Sequence, residues 1–414
     1  MKYKKYPSYK DSGVEWLGEI PESWDARRLG FYFKERREKV SDKVFSPLSV
    51  TKNGIVPQLE NAAKSDDGDN RKKVCKGDFV INSRSDRKGS SGLSQLDGSV
   101  SLINTVIEPK NINENYIHYL LKSQPFQEEY YRYGKGIVAD LWSTNYSEMK
   151  NIIISSPTLK EQQQIANFLD KATAKIDTLI EKQTKQIELL KEKRQAVISH
   201  AVTKGINPNV PMKDSGVEWL AEIPEHWEVK KLKFVLQILN KKEKIINQIV
   251  VALENIESWS GKYIESDSSY QGDDVAFCIG DILFGKLRPY LAKVFLCSFD
   301  GIAFGDLLAY RPIKDYASKY AFYSLISEDF IKIVDSSTYG TKMPRASSEF
   351  LSEMRLTVPP LKEQQQIANY LDEKTSKIDI LIEKSNKSIE LLKEKRTAII
   401  SAAVTGKIDV RGLA

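Results

Sequence analysis

Cysteine and histidine are both scarce, with three of each in 414 residues. No two cysteines form a C-x-x-C pair, so the chain has no zinc-ribbon spacing and no disulfide framework, and a reducing cytoplasm is the expected compartment. His118, His200 and His226 are scattered, with no cysteine or carboxylate pattern to recruit them to a metal. No run of about 18 apolar residues is available to span a membrane. The basic start "MKYKKYPSYK" has no apolar stretch behind it, which argues against a signal peptide. A G-x-x-x-x-G-K-[ST] nucleotide loop is absent. A self-sufficient methyltransferase would need a glycine-rich cofactor loop and an (Asn/Asp)-Pro-Pro-(aromatic) tetrapeptide. The nearest string, "VPPL" at Val358 to Leu361, lacks the polar first residue and the aromatic last one. Its place before a helical pattern explains it better, since proline pre-sets a first turn. The expectation is a chain without catalysis, cofactor or metal of its own.

What is present is repetition. "KDSGVEWLGEIPESW" (Lys10 to Trp24) returns as "KDSGVEWLAEIPEHW" (Lys213 to Trp227), with two substitutions, Gly18 against Ala221 and Ser23 against His226. A longer passage, "LKEQQQIANFLDKATAKIDTLIEKQTKQIELLKEKRQAVIS" from Leu159, returns from Leu361. The offsets are 203 and 202 residues, so the chain is a tandem duplication: variable region, long helix, variable region, long helix. Hydrophobic residues at 41% and charged residues at 29% suit globular domains with real cores, and a net charge of +6 permits an anionic partner.

In the longer passage Ile165, Leu169, Ala172, Ile176, Leu179, Ile187, Leu190, Val197 and Ala201 follow a 4,3 spacing, with Gln183 and Arg194 at intervening seam positions. A 3.5-residue period with charged flanks indicates a coiled coil. The second copy supplies Ile367, Leu371, Ile378, Leu381, Ile389 and Leu392. Consecutive steps of four, Leu179 to Gln183 to Ile187, read as a stutter. Thr158 to Glu161 reads as a capping box, and Gly205 followed by Pro208 as the stop. One such helix cannot bury its stripe alone, and the two copies predict an antiparallel pair that relates the halves by a pseudo-two-fold axis. The order is then a first variable domain over 1–157, a long helix over 158–205, a second variable domain over 206–358, a second helix over 359–406 and a tail over 407–414.

The variable halves stay in register. "VCKGDFVINSRS" at Val74 aligns with "FCIGDILFGKLR" at Phe277, and Gly-Asp before an apolar run marks a turn entering a buried strand. Cys75 and Cys278 are repeat equivalents and read as small core residues. Trp16, Trp24, Trp219 and Trp227 belong to the repeated frame and read as packing anchors. "SLINTVIEP" and "GDLLAYRP" read as strands; "NENYIHYLLKSQPFQEEYYRY" and "SKYAFYSLISEDFIKIV" read as amphipathic helices. Each half is therefore a compact α/β (α+β) domain. Its loops carry the difference between halves. Ser83, Arg84, Arg87, Lys88, Ser90 and Ser91, with Lys135 among aromatics, form one candidate DNA-contact set. Lys286, Arg288 and Tyr290, with Thr341, Lys342 and Arg345, form the other. Arginine and lysine among small hydroxyl residues and glycines suit phosphates and base edges.

The order of these passages, with "LKEQQQIANFLD" and "LKEQQQIANYLD", "KIDTLIEK" and "KIDILIEK", "GVEWLGEIP" and "GVEWLAEIP", resembles the specificity subunit of Type I restriction–modification enzymes over essentially the whole chain. The resemblance implies that each variable half is a target recognition domain for one part of a split, asymmetric site in double-stranded DNA. It implies that the helices set the spacer and bind two methyltransferase subunits, which carry the restriction subunits. The complex would be a DNA adenine methyltransferase and ATP-dependent endonuclease, and this chain its non-catalytic member. A two-ended coiled-coil adaptor, or the specificity chain of a fused methylase–nuclease system, are the alternatives.

Overall fold

A computed structural model describes residues 3–60, 68–136, 142–244, 248–266, 268, 270–340 and 342–413. Both repeated passages fold as single helices, Leu159–Lys204 and Leu361–Val404. By packing, the chain forms two compact units, and each long helix is shared between them. One unit holds residues 1–183 and 387–414; the other holds 184–386.

In the first unit, the N-terminal half of the first long helix meets the C-terminal half of the second, so the pair is antiparallel. Ile165, Leu169 and Ile176 share a core with Ile399, Ile400, Ala403 and Val404. Arg396 grips Asp177 through Nε and Nη2 at 2.9 and 3.3 Å. The second unit repeats the arrangement with the roles exchanged. Ile198, Ala201 and Val202 pack with Ile367 and Leu371, and Arg194 Nε donates to Asp379 at 3.0 Å.

The last turn of each helix is tied into the same unit's globular part. In the first unit, Ser155 Oγ and Tyr116 Oη donate to the Val404 carbonyl. In the second, Thr357 Oγ1 and Tyr320 Oη donate to Val202. A helix leaves its last carbonyls without intrahelical partners, so buried hydroxyls there are worth a hydrogen bond each. The first helix stops at Lys204, where Gly205 takes φ +78°, as its sequence predicts. At its start Thr158 Oγ1 accepts from the Glu161 N–H at 3.3 Å, but the Glu161 carboxylate is turned to Tyr6, whose hydroxyl donates at 2.7 Å. Only the threonine side of the expected capping box is therefore in place.

The seam corrects the periodicity. Leu179 and Leu381, both expected in it, are 41% and 44% exposed, and the neighbouring Ile180 and Ile382 are the half-buried residues. Through Ile176, Ile180, Gln183, Ile187 and Leu190 the steps alternate four and three, so the stutter expected at Gln183 is absent. Consecutive steps of four occur later, at Leu190, Arg194 and Ile198, where Arg194 and Ile198 are buried. Ile187, Leu190, Ile389 and Leu392 are half-buried, and Ile165, Leu169, Ile176, Ile367, Leu371 and Ile378 are buried.

Each unit carries a four-stranded antiparallel sheet. In the first the order is Ser91–Leu93, Phe79–Asn82, Asn104–Pro109, Phe33–Glu35. In the second it is Val294–Leu296, Ile282–Gly285, Leu307–Pro312, Leu236–Ile238. The strands entered from Gly-Asp, Phe79–Asn82 and Ile282–Gly285, are buried along their length. The turn itself is an ionic knot. Asp78 and Asp281 are nearly fully buried, accept the N–H of Cys75 and Cys278, and pair with Arg36 and Arg311 respectively. Arg36 lies just past the strand Phe33–Glu35 and Arg311 within Leu307–Pro312, which are non-equivalent places, so the two halves neutralise one buried carboxylate in different ways. Cys278 is exposed and Cys75 half-buried, which corrects their assignment to the core. Trp24 and Trp227 are buried anchors as expected, with Trp16 and Trp219 packed against the same cores.

Both amphipathic stretches break in two at a serine. Glu114–Lys122 and Gln124–Arg132 flank Ser123; Ser318–Ile326 and Glu328–Ser336 flank Ser327. Each serine is extended at φ near −65° and turns its hydroxyl back to a carbonyl three residues earlier. Serine's own backbone hydrogen bonding competes with helix continuation. The chain ends meet in the first unit, where the Asp409 N–H donates to Lys4 O and Val410 is fully buried. No helix among the described residues is long and apolar enough to cross a membrane.

Candidate nucleic-acid interface

Beyond the buried strand Phe79–Asn82, the chain enters a junction of three segments. Ser83 N–H donates to Ile103 O, Thr144 N–H to Ser83 O, and Ser85 N–H to Trp142 O, at 2.9 to 3.2 Å. Lys135 and Ser143 exchange two backbone hydrogen bonds of 3.1 Å. The second half builds the same junction at the end of Ile282–Gly285. Lys286 N–H donates to Asp306 O, Ala346 N–H to Lys286 O, and Arg288 N–H to Pro344 O, at 2.8 to 3.0 Å. Tyr339 and Arg345 exchange backbone bonds at 3.2 and 3.4 Å. These bonds are made by the main chain, so the junction survives a complete change of side chains. That change has occurred. Ser83, Arg84, Ser85, Ile103, Lys135, Trp142 and Ser143 occupy the places of Lys286, Leu287, Arg288, Asp306, Tyr339, Pro344 and Arg345.

In the first half Arg84, Arg87, Lys88 and Lys135 are exposed around the junction. Lys135 pairs with Glu148 at 3.1 Å, and the Ser147 hydroxyl and then Lys135 hold that carboxyl below the usual range. Lys88 sits over the Tyr131 ring. Ser83, Ser90 and Ser91 are buried and build the junction instead of facing solvent. Ser83 Oγ donates to Ile103 O, Ser90 N–H closes the loop on Arg87 O, and Ser91 lies inside a strand. At 6%, 7% and 0% exposure these three serines have little surface to offer a ligand, unlike the exposed contacts expected of them. Sequence reasoning missed three exposed apolar side chains at this junction: Leu102, Ile103 and Trp142.

In the second half Arg288, Tyr290 and Lys342 are exposed, and Lys286 and Arg345 half-exposed. Thr341 lies outside the described residues. Tyr339 and Met343, also missed, are exposed beside them. The other omission is Asp306, whose carboxylate receives Arg345 Nε and Nη2 at 3.1 and 3.0 Å and lies 3.7 Å from Lys286 Nζ. It sits in "GDLLAYRP", which patterning reads only as a strand; the repeat register, placing it opposite Ile103, is the signal that could have found it.

Arg288 is strained, with φ +51°, a region L residues other than Asn and Asp rarely occupy. Its N–H bond to Pro344 O and an Nη2 contact with Lys342 O hold it there. Arg288→Gly should therefore raise the thermal stability of the unit by about 1 kcal/mol. The same change should lower the slope of log Kd against log salt for DNA by about one. A variant that loses stability would show that the left-handed backbone at Arg288 costs nothing, and one that keeps the full slope would show that Arg288 makes no anion contact.

The long helices also repeat an exposed apolar pattern. Leu179 and Leu391 are exposed in the first unit, and Leu381 and Leu189 in the second, each at 41% to 53%. These apolar side chains are therefore exposed at equivalent places in both units.

Comparison with known proteins adds a lineage to this geometry. Residues 15–189 and 224–391 match the family model described as Type I restriction modification DNA specificity domain. The Type I restriction enzyme MjaVIII specificity subunit of Methanocaldococcus jannaschii is 26% identical over 95% of both chains. The EcoDI specificity subunit of Escherichia coli is 25% identical over 74% of this chain and 72% of its own. Among solved structures, a chain from a study of assembly and conformational transition in the type I R-M system superposes with a TM-score of 0.69. It covers 93% of this chain and 98% of its own at 16% identity, a likeness of fold.

Proposed function

Because this chain belongs to the Type I restriction modification DNA specificity family, whose specificity subunits read DNA and leave catalysis to other chains, we propose that its two units read the two halves of one split, asymmetric target. The observation that carries this reading is the junction built twice on one backbone plan with different side chains. A duplicated frame with unlike surfaces suits two related tasks on two unlike base sequences. Lysine and arginine around each junction suit phosphates, which position a protein on the duplex. The exposed Leu102, Ile103 and Trp142, and Tyr339 and Met343, suit apolar contact with base edges such as the thymine methyl.

The helical frame serves the partners. Two identical methyltransferase subunits would need two equivalent docking surfaces, and the repeated exposed leucines supply candidates. Restriction subunits would join through the methyltransferase subunits. The length of the helices would set the unread gap between half-sites. A base-modification map of the host genome, with and without this gene, tests the reading. Loss of methylation at one motif, two short blocks flanking a fixed gap, is the expected result. Unchanged methylation in cells that express the chain would overturn it.

A further inference from the structure

Resting on that reading, we infer that Arg345 reads a guanine in the half-site of the second unit and that Asp306 is the positioning residue that makes it able to. A guanidinium presents more than one two-donor edge. Asp306 occupies the Nε–Nη2 edge with two hydrogen bonds of 3.1 and 3.0 Å. The Nη1–Nη2 edge is left, and the Arg345 side chain is 41% exposed. Two parallel donors on a fixed plane match guanine O6 and N7, the commonest specific arginine contact in the major groove. An unbraced arginine loses rotamer freedom when it binds; a braced one has lost it already.

The brace is built into the junction. Arg345 exchanges backbone bonds with Tyr339, Ala346 N–H donates to Lys286 O, and Lys286 N–H donates to Asp306 O. The carboxylate and the guanidinium therefore hang from adjoining segments of one hydrogen-bonded frame. Lys286, 3.7 Å from the same carboxylate, limits the charge left over. The first unit lacks the device at the equivalent places: Ile103 stands for Asp306 and Ser143 for Arg345. Its cations sit elsewhere, at Arg84 and Lys135, so guanine reading through this brace belongs to one half-site only. Asp306 touches no DNA in this scheme; it acts through Arg345.

The test uses the chain assembled with its methyltransferase partners, once the split motif is known. Methylation rates are compared on duplexes in which each guanine of the second half-site is replaced in turn by 7-deazaguanine, which lacks the N7 acceptor. For the wild-type complex one replacement should cost about tenfold to a hundredfold. Arg345→Met should abolish preference at that one base pair and leave discrimination in the first half-site unchanged. Asp306→Asn should relax the same base pair, and the double variant should be no worse than Arg345→Met. Discrimination at the other base pairs of the second half-site reports folding of that unit within each measurement, and the deazaguanine series needs no variant. If Arg345→Met retains full discrimination across the second half-site, or no guanine there responds to 7-deaza substitution, the inference is wrong while the functional reading stands. If no split motif is methylated at all, the functional reading itself has failed.

Discussion

Deleting Glu181 to Thr184 from the first long helix should cost the assembled complex at least a hundredfold in methylation of its target. Deleting Glu383 to Asn386 as well should restore activity on a site with a shorter gap. Two ion pairs fix the register of the helices. Asp177 pairs with Arg396 in the first unit and Arg194 with Asp379 in the second. Along the first helix Asp177 and Arg194 are 17 residues apart, and along the second Asp379 and Arg396 are also 17 apart. Equal spacing lets both antiparallel registers hold. A four-residue deletion in one helix removes about 6 Å of rise and leaves a rotation of roughly 40°. Seam residues that step by four and three then face the wrong way in one unit or the other. The matched deletion makes both spacings 13 and restores the register. About 6 Å corresponds to one or two base pairs at 3.4 Å each, so the preferred gap should contract by that amount. Methylation mapping of both deletion strains reads the outcome. A doubly deleted complex that is active at the original gap would end the idea that the helices measure it.

The duplication, the long helices and the Gly-Asp entry to a buried strand were legible because each is written in local pattern or direct repetition. The seam was legible only to within one residue. Leu179 and Ile180 are adjacent and apolar, and a period near 3.5 admits either; the partner helix chooses Ile180. The break at Ser123 was readable in principle, since Pro125 follows it, but Ser327 has no such marker and breaks in the same way. The loops were found by their cations, yet three serines beside those cations turned inward. A hydroxyl next to arginine looks like a phosphate contact in sequence and like a strand residue once paired. Asp306 was hidden for the opposite reason. An acidic residue is an unpromising contact for DNA, and its value lies in the arginine it holds, 39 positions away in the chain.

Arg194→Ala and Arg396→Ala are the same substitution at repeat-equivalent positions, and they should differ widely in effect. Arg194 is 8% exposed and its partner Asp379 20%. Its Nη1 also donates to the Trp259 carbonyl at 2.9 Å. Trp259 is held in the left-handed region at φ +64°, in a turn closed by the Glu257 N–H to Lys262 O bond. In that turn Gly261 lies against Phe322 and the Val294 carbonyl. Arg194 thus ties both long helices to a loop of the second unit. Truncation leaves Asp379 with Lys262 alone, 3.6 Å away, and a carbonyl without its donor. Breaking a buried pair by removing one partner costs about 3 kcal/mol or more. Arg396 and Asp177 are 39% and 51% exposed, and a pair of that kind contributes about 0–1 kcal/mol. For units of this size 1 kcal/mol moves Tm by about 2–4 °C. Arg194→Ala should then lower the melting of the second unit by roughly 6–12 °C, against a few degrees at most for Arg396→Ala. Replacing both partners, Arg194→Met with Asp379→Leu, should recover much of the loss, because the only charge then left without its partner is that of Lys262, which is 62% exposed. Equal effects at the two sites would mean that burial does not set the worth of these pairs, and that the loop at Trp259 adds nothing to the brace.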